Sequence, residues 1–184
     1  MDVYHAIASR RTIQRFRPGA IPVGALERAL AAATWAPNHK TTWPFRFVLP
    51  GPASREVIFR TGLRLKAAKR GSSPELEAAV RQDLLAPDRL VAVVQRLAAD
   101  EHRALEDYAA CACAVQNLML ALHAEGVGTK WGTGGTLREP DVHEALGVDP
   151  VRERIVAFVW VGVPAVVPLA PARPPLAELV TERP

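Results

Sequence analysis

Apolar residues recur at helical spacing over several stretches of this 184-residue chain and gather into short unbroken runs in others. Residues 2–9 put Val3, Tyr4, Ile7 and Ala8 on one face of a short helix. A second helix fits 23–34, with Leu26, Leu30 and Ala33 turned inward. Trp35-Ala36-Pro37-Asn38 stops it, because proline disfavours helix in the residue before it. Phe45 to Leu49 reads as a strand that ends in a Pro50-Gly51-Pro52 turn. Helices follow over 54–70, strongly basic, and over 74–84; Leu90 to Val94 is then a compact apolar strand.

The longest helical pattern covers 101–125. From Ala109 to Leu122 it is apolar nearly all round, broken by Gln116 and Asn117. That predicts a helix buried on several sides or shared with a partner chain. Gly126 suits its C-terminus. Val127 to Trp131 reads as a strand, Gly132-Thr133-Gly134-Gly135 as a turn, and Pro140 opens a short helix over 140–146. Ile155 to Val163 is Val-rich and unbroken, the mark of a central strand covered on both faces. Six of the 16 prolines fall in residues 164–184, so this tail is either an extended arm or lacks fixed structure. Strands separated by helices without a regular βαβ rhythm predict an α+β sandwich rather than a doubly wound fold. The expected organisation is one domain over 1–184.

Composition narrows the class. With 49% hydrophobic and 23% charged residues the chain reads as an ordinary globular protein. No apolar run reaches the roughly 18–20 residues that span a bilayer, so no membrane partner is expected. The polar start argues against a secretory leader. Two cysteines exclude a disulfide framework, which points to a reducing cytoplasm. Cys111 and Cys113 stand two apart on a helix and point to different sides. The five histidines show no ligand spacing, so no metal site is expected.

Charge adds one asymmetry. Residues 1–70 carry 13 Lys and Arg against 3 Asp and Glu, and the rest of the chain is net acidic. A basic half calls for an anionic partner: a phosphate, a nucleotide or a nucleic acid.

Three segments carry candidate chemistry. Ser9-Arg10-Arg11-Thr12 offers two guanidiniums and a hydroxyl that clamp a phosphate, or else a solvated helix end favoured by the dipole. Ala36-Pro37-Asn38-His39-Lys40-Thr41-Thr42-Trp43-Pro44-Phe45-Arg46-Phe47 sets donors beside an aromatic strand, either for a polar ligand or as a plain connection. Lys130-Trp131-Gly132-Thr133-Gly134-Gly135-Thr136 lets backbone approach a ligand closely, or is a flexible turn. It is neither a P-loop nor GxGxxG.

In this order and spacing the three segments resemble the FMN-dependent nitroreductase family, in its short-chain branch. Arg10-Arg11-Thr12 resembles the family's R-R-[ST] motif, and Ala36-Pro37 to Phe47 its proline-flanked stretch. Trp131-Gly132-Thr133-Gly134 falls where that branch places its flavin-contacting turn, and the apolar run over 155–163 ending in Gly162-Val163-Pro164 resembles the family's last core strand. Thr41, Trp43 and Phe45 depart from the family's usual Asn, Gln and Trp. The resemblance implies a nitroreductase-like sandwich with a mostly antiparallel sheet flanked by helices and an extended C-terminal arm. It implies a homodimer with FMN at the interface and ping-pong hydride transfer through flavin N5. Electrons would pass from NAD(P)H to nitroaromatic, quinone or enone acceptors. No side chain is expected to be catalytic, since the flavin carries the chemistry. The implied cofactor contacts are Arg10, Arg11 and Thr12 at the phosphate, with Arg173 as a second phosphate ligand. Trp35 is a further contact, Asn38 and His39 approach from the other protomer, with Lys40 nearby, and Trp131, Gly132 and Thr133 meet the ring's polar edge. Two other readings remain: a flavin-binding relative without reductase role, and a basic nucleic-acid-binding module over 1–70. The second lacks any recognition signature, and no nucleic-acid partner is expected.

Overall fold

The computed structural model describes residues 1–183. In chain order the elements are α1 (Val3–Ser9), β1 (Phe16–Arg17), α2 (Ala25–Ala33), β2 (Phe45–Val48), α3 (Pro52–Arg70) and α4 (Pro74–Leu85). They continue with β3 (Arg89–Arg96), α5 (Glu101–Ala124), β4 (Gly128–Gly132), α6 (Pro140–Leu146) and β5 (Glu153–Pro164). The expected α+β class is observed: a five-stranded sheet with every strand pair antiparallel.

β5 is the hub. It pairs with β3 from Arg89↔Val161 to Arg96↔Glu153, with β4 from Gly128↔Gly162 to Gly132↔Phe158, and with β1 at Phe16↔Pro164. β2 extends the sheet beyond β3. Alternation along β3 and β5 separates two cores. Val91, Val93, Val159 and Val161 face α2 and α5; Leu90, Ala92, Val94, Phe158 and Trp160 face the side of α3 and α6. Each fully buried Val, Leu or Phe contributes about 1.5–3 kcal/mol. A bulge interrupts the period where Val93↔Ala157 is followed by Val94↔Ile155. Val156, the extra residue, therefore shares Ala157's side of the sheet.

Helix ends follow their sequence signals. Asp2 accepts the His5 N–H, Ser73 that of Leu76, and Asp100 that of Arg103. Past Glu125 the chain turns at Gly126 with a left-handed φ of 76°, which glycine adopts without a Cβ penalty.

Three outcomes differ from the apolar pattern. The face of α1 that reads as inward points out: Val3 and Ile7 are mostly exposed, Tyr4 is 83% exposed, and Ala6 alone is buried. α5 is not enclosed, because Ala112, Cys113, Gln116, Asn117 and Leu120 are only half-buried. The two-residue β1 is too short to carry a period. The basic half is also largely answered within the fold. Arg28 pairs with Glu125, Arg46 with Glu153, and Arg64 with Glu139 and Asp141.

Candidate functional site

α1 ends at Arg10, whose backbone N–H bonds Ala6 while its φ and ψ turn the chain into an extended path. The path is stitched to the edge of β4: the Ile13 N–H donates to the Thr129 carbonyl at 2.9 Å, and Thr12 bridges Thr129. Arg10 and Arg11 thereby line a cavity of about 340 Å³, with Ile13, His123, Gly128 and Pro164 around it. Burial, and then the like charges of Arg11 and Arg173, push the Arg10 guanidinium below its ordinary value. Arg11 is oriented by donating to the carbonyls of Ala8 and Arg10 at 2.7 Å each. Among the described residues no carboxylate lies within 4 Å of Arg10, Arg11 or Arg173. Thr12 is exposed beside them.

His123, near the C-terminus of α5, closes the back of this cavity. The Ser9 hydroxyl donates to the His5 carbonyl at 2.6 Å, so its oxygen accepts from His123 Nε2 at 2.8 Å. Burial first, then the charge of Arg10, with His5 and Arg11 after it, hold the imidazole below its usual range.

The second segment forms a tight loop. Trp35 is 86% exposed at the end of α2, and His39 and Lys40 are exposed on a single 3-10 turn. Lys40, Thr41 and Trp43 have φ of 62°, 50° and 47°. Left-handed geometry costs a residue with a Cβ roughly 1–2 kcal/mol. Asn38 stabilises this shape: its Oδ1 accepts the Trp43 N–H at 2.7 Å and its Nδ2 donates to Thr42 Oγ1 at 2.9 Å. Of the departures from the family pattern, Trp43 and Phe45 meet edge to face, with ring centroids 6.4 Å apart.

The glycine turn follows β4. Trp131 packs toward α5, with an indole N–H that is buried without a partner, and Gly132 lies against Trp160 on the other side. None of Gly132, Gly134 and Gly135 has a left-handed φ, so backbone conformation does not demand glycine here. Beyond Gly132 a second cavity of about 340 Å³ opens, lined by Leu65, Lys66, Lys69, Leu84, Lys130 and Trp160. Lys66 is paired with Asp83 at 3.2 Å; Lys69 and Lys130 face no carboxylate within 4 Å among the described residues. Lys130 opens the third candidate segment, but sequence reasoning misses Lys66 and Lys69, since α3 lies some sixty residues before β4; their one signal is the basic last turn of α3.

Within one chain the fold therefore gathers Arg10 and Arg11 near the start of β4, with the charge of Arg173 acting on Arg10, and places Trp131, Gly132 and Thr133 at its end. From Gly128 to Gly132 the strand rises about 13 Å, the reach of a ribityl chain and part of a ring. Trp35, Asn38 and His39 line neither cavity. Among the described residues no cluster of His, Cys, Asp and Glu is arranged for a metal.

The profile of the Nitroreductase family matches residues 7–163. YfhC of Bacillus subtilis, named by assignment as an NAD(P)H nitroreductase, is 29% identical over 184 residues, covering 96% of this chain and 91% of its own. A nitroreductase-like family protein from Bacillus cereus superposes with a TM-score of 0.84 at 27% identity, over 100% of this chain and 96% of that one. A Desulfovibrio desulfuricans protein described as a nitroreductase, in complex with FMN, superposes with a TM-score of 0.75 at 27% identity, over 100% and 98%. The chain belongs to the nitroreductase family and is an oxidoreductase.

Proposed function

We propose that the protein is an FMN-dependent NAD(P)H oxidoreductase with its flavin laid along the edge of β4. The observation that carries this is Arg10, partly desolvated beside Arg11 and within the field of Arg173, with no carboxylate at hand among the described residues. Like charges gathered in this way call for a doubly charged anion, which a flavin phosphate supplies. The donor set fits the rest of FMN too. Thr12 adds a hydroxyl beside the phosphate, and the backbone of Trp131, Gly132 and Thr133 offers polar groups to the ring edge. The FMN in the Desulfovibrio relative and the NAD(P)H in the name of YfhC support the assignment.

Bound FMN supplies hydride acceptance from NAD(P)H and delivery to a second substrate in a ping-pong cycle. The chain's own residues bind and tune. Arg10, Arg11 and Arg173 neutralise phosphate. Lys69 and Lys130 place positive potential at the second cavity, which would favour negative charge on a flavin held there. Trp35 and His39 reach the site from a second copy of the chain, on the loop that Asn38 holds. The outward face of α1, the half-covered face of α5 and the apolar tail residues Val166, Val167 and Leu169 supply the surface for that homodimer. With Cys111 and Cys113 free, and no helix among the described residues long and apolar enough to cross a membrane, we place the enzyme in a reducing cytoplasm. The acceptors are planar nitroaromatics, quinones or enones.

Flavin release with mass identification tests the cofactor. NAD(P)H consumption with a panel of those acceptors then separates a reductase from a flavin carrier. A colourless protein that takes up no FMN and is held on DNA in a salt-sensitive way overturns the assignment.

A further inference from the structure

The loop carrying His39 is tied to α5 by a relay of side chains that ends on a buried carboxylate. Asp107 is 4% exposed, and the Thr42 hydroxyl donates to its Oδ1 at 2.6 Å. The Thr42 hydroxyl oxygen in turn accepts from Asn38 Nδ2 at 2.9 Å, and Asn38 Oδ1 accepts the Trp43 N–H. The direction of the relay is forced. An amide nitrogen only donates and a carboxylate only accepts, so the single hydroxyl proton of Thr42 goes to Asp107.

Two further facts mark Asp107. It is the seventh residue of α5, past the first turn, so the helix dipole gives little reason for an acid there. Among the described residues it has no cation within 4 Å; the neighbouring Arg154 donates instead to Gln95 Oε1 at 2.8 Å. A carboxylate buried without a cation needs compensating hydrogen bonds, and the loop provides one. The loop has its own need. Its left-handed residues Lys40, Thr41 and Trp43 lie in a single 3-10 turn and its exit, where the Thr41 N–H reaches the Asn38 carbonyl at a long 3.3 Å. Such geometry persists where surrounding groups over-determine it.

We propose that Asp107 is a positioning residue: through Thr42 and Asn38 it fixes the loop that carries His39, and so sets how tightly flavin is held across the subunit boundary. This rests on the proposed function, in which that loop meets the flavin of a second copy.

The test uses Thr42→Val, which keeps the shape of the side chain and removes its hydroxyl, and Thr42→Ser, which restores the hydroxyl. Two quantities are read on the full-length protein: hydrogen–deuterium exchange at the Trp43 amide, and the FMN dissociation constant. In Thr42→Val, Trp43 exchanges about tenfold faster and FMN binds about tenfold more weakly, the scale of one charge-assisted hydrogen bond. Thr42→Ser stays within about twofold of wild type in both. Asp107→Asn falls between, because its amide carbonyl still accepts. Unchanged Trp43 exchange in Thr42→Val overturns the relay. Faster exchange with unchanged FMN affinity overturns the positioning role while leaving the flavin assignment intact. A wild-type protein that binds no FMN overturns the flavin assignment and the positioning role together, and the exchange comparison still decides whether the relay exists.

Discussion

The Cα of Gly132 lies so close to the indole of Trp160 that a Cβ built on it would stand 2.5 Å from Cζ3 and 3.1 Å from Cη2. The obstacle is the benzo edge of a ring that is itself 6% exposed, not the free end of a flexible chain. Glycine is required at this position by the fold, before any ligand is considered.

Gly132→Ala therefore lowers the stability of the flavin-free protein by about 1–3 kcal/mol, the range for overpacking a core. Gly134→Ala behaves differently. Its added methyl meets nothing within 4 Å and its φ is not left-handed. It leaves apo stability near wild type, and any loss of FMN affinity then reports close approach of the ligand. Urea melts and flavin titrations on the two variants check both statements; equal apo stability of Gly132→Ala and wild type would contradict the Trp160 account.

Arg10→Ala weakens FMN binding by about 1.5–3 kcal/mol, the loss of a hydrogen bond to a charged group. Riboflavin, which lacks the phosphate, binds variant and wild type alike. Apo stability does not fall on account of charge, because the substitution removes repulsion between Arg10, Arg11 and Arg173. Fluorescence titration with both flavins checks this, and an Arg10→Ala protein that holds FMN as tightly as wild type contradicts it.

His123 ties stability to pH. Its folded value lies below the 6.5 of an unperturbed histidine. As pH falls through 6.5 the unfolded chain takes up a proton that the folded chain refuses, so stability is lost toward acid and regained toward neutral pH. The flavin-free protein therefore melts at a lower temperature at about pH 5.5 than at about pH 7.5, and thermal melts at the two values measure the difference. His123→Gln, which keeps a donor for Ser9, flattens the apo profile.

The proposed shared site predicts a dimer in sedimentation at low micromolar concentration. Tyr4→Glu combined with Ile7→Glu shifts it toward monomer with little change in chain stability, since both side chains are exposed. Removing residues 165–184 loosens the dimer and lowers flavin occupancy. A stable, flavin-loaded monomer would rule out the shared site.

Much of this was legible in the chain because the signals are local. Pro52, Pro74 and Pro140 open helices, Gly126 ends one, and the Val-rich run over 155–163 becomes the buried centre of the sheet. The arginine pair and the glycine turn announced themselves by composition. What stayed hidden depends on distance or on conformation without a residue signature. Lys66 and Lys69 line the candidate cavity because α3 packs beside the turn that follows β4. Lys40, Thr41 and Trp43 adopt left-handed geometry although none is glycine or asparagine. The acid that steadies them, Asp107, lies 65 residues beyond Thr42. The outward turn of α1 was hidden for a different reason: an apolar face reads the same whether its cover is its own core or a neighbour.

β5 also governs the order in which the protein can be made. β1, β3 and β4 all take their pairing from a strand that begins at Glu153, so their edges wait for a stretch near the end of the chain. On the ribosome, some 150 residues emerge before the strand that joins them. Until then β3 can close only with β2, and its other edge, with Val91 and Val93 along it, is open to a neighbouring nascent chain. Closure of that gap is a long-range event, which makes it slow. Synthesis in crowded cells therefore exposes this fold to strand exchange in the interval just before its last core strand appears, and a chain cut short ahead of Glu153 never leaves that interval.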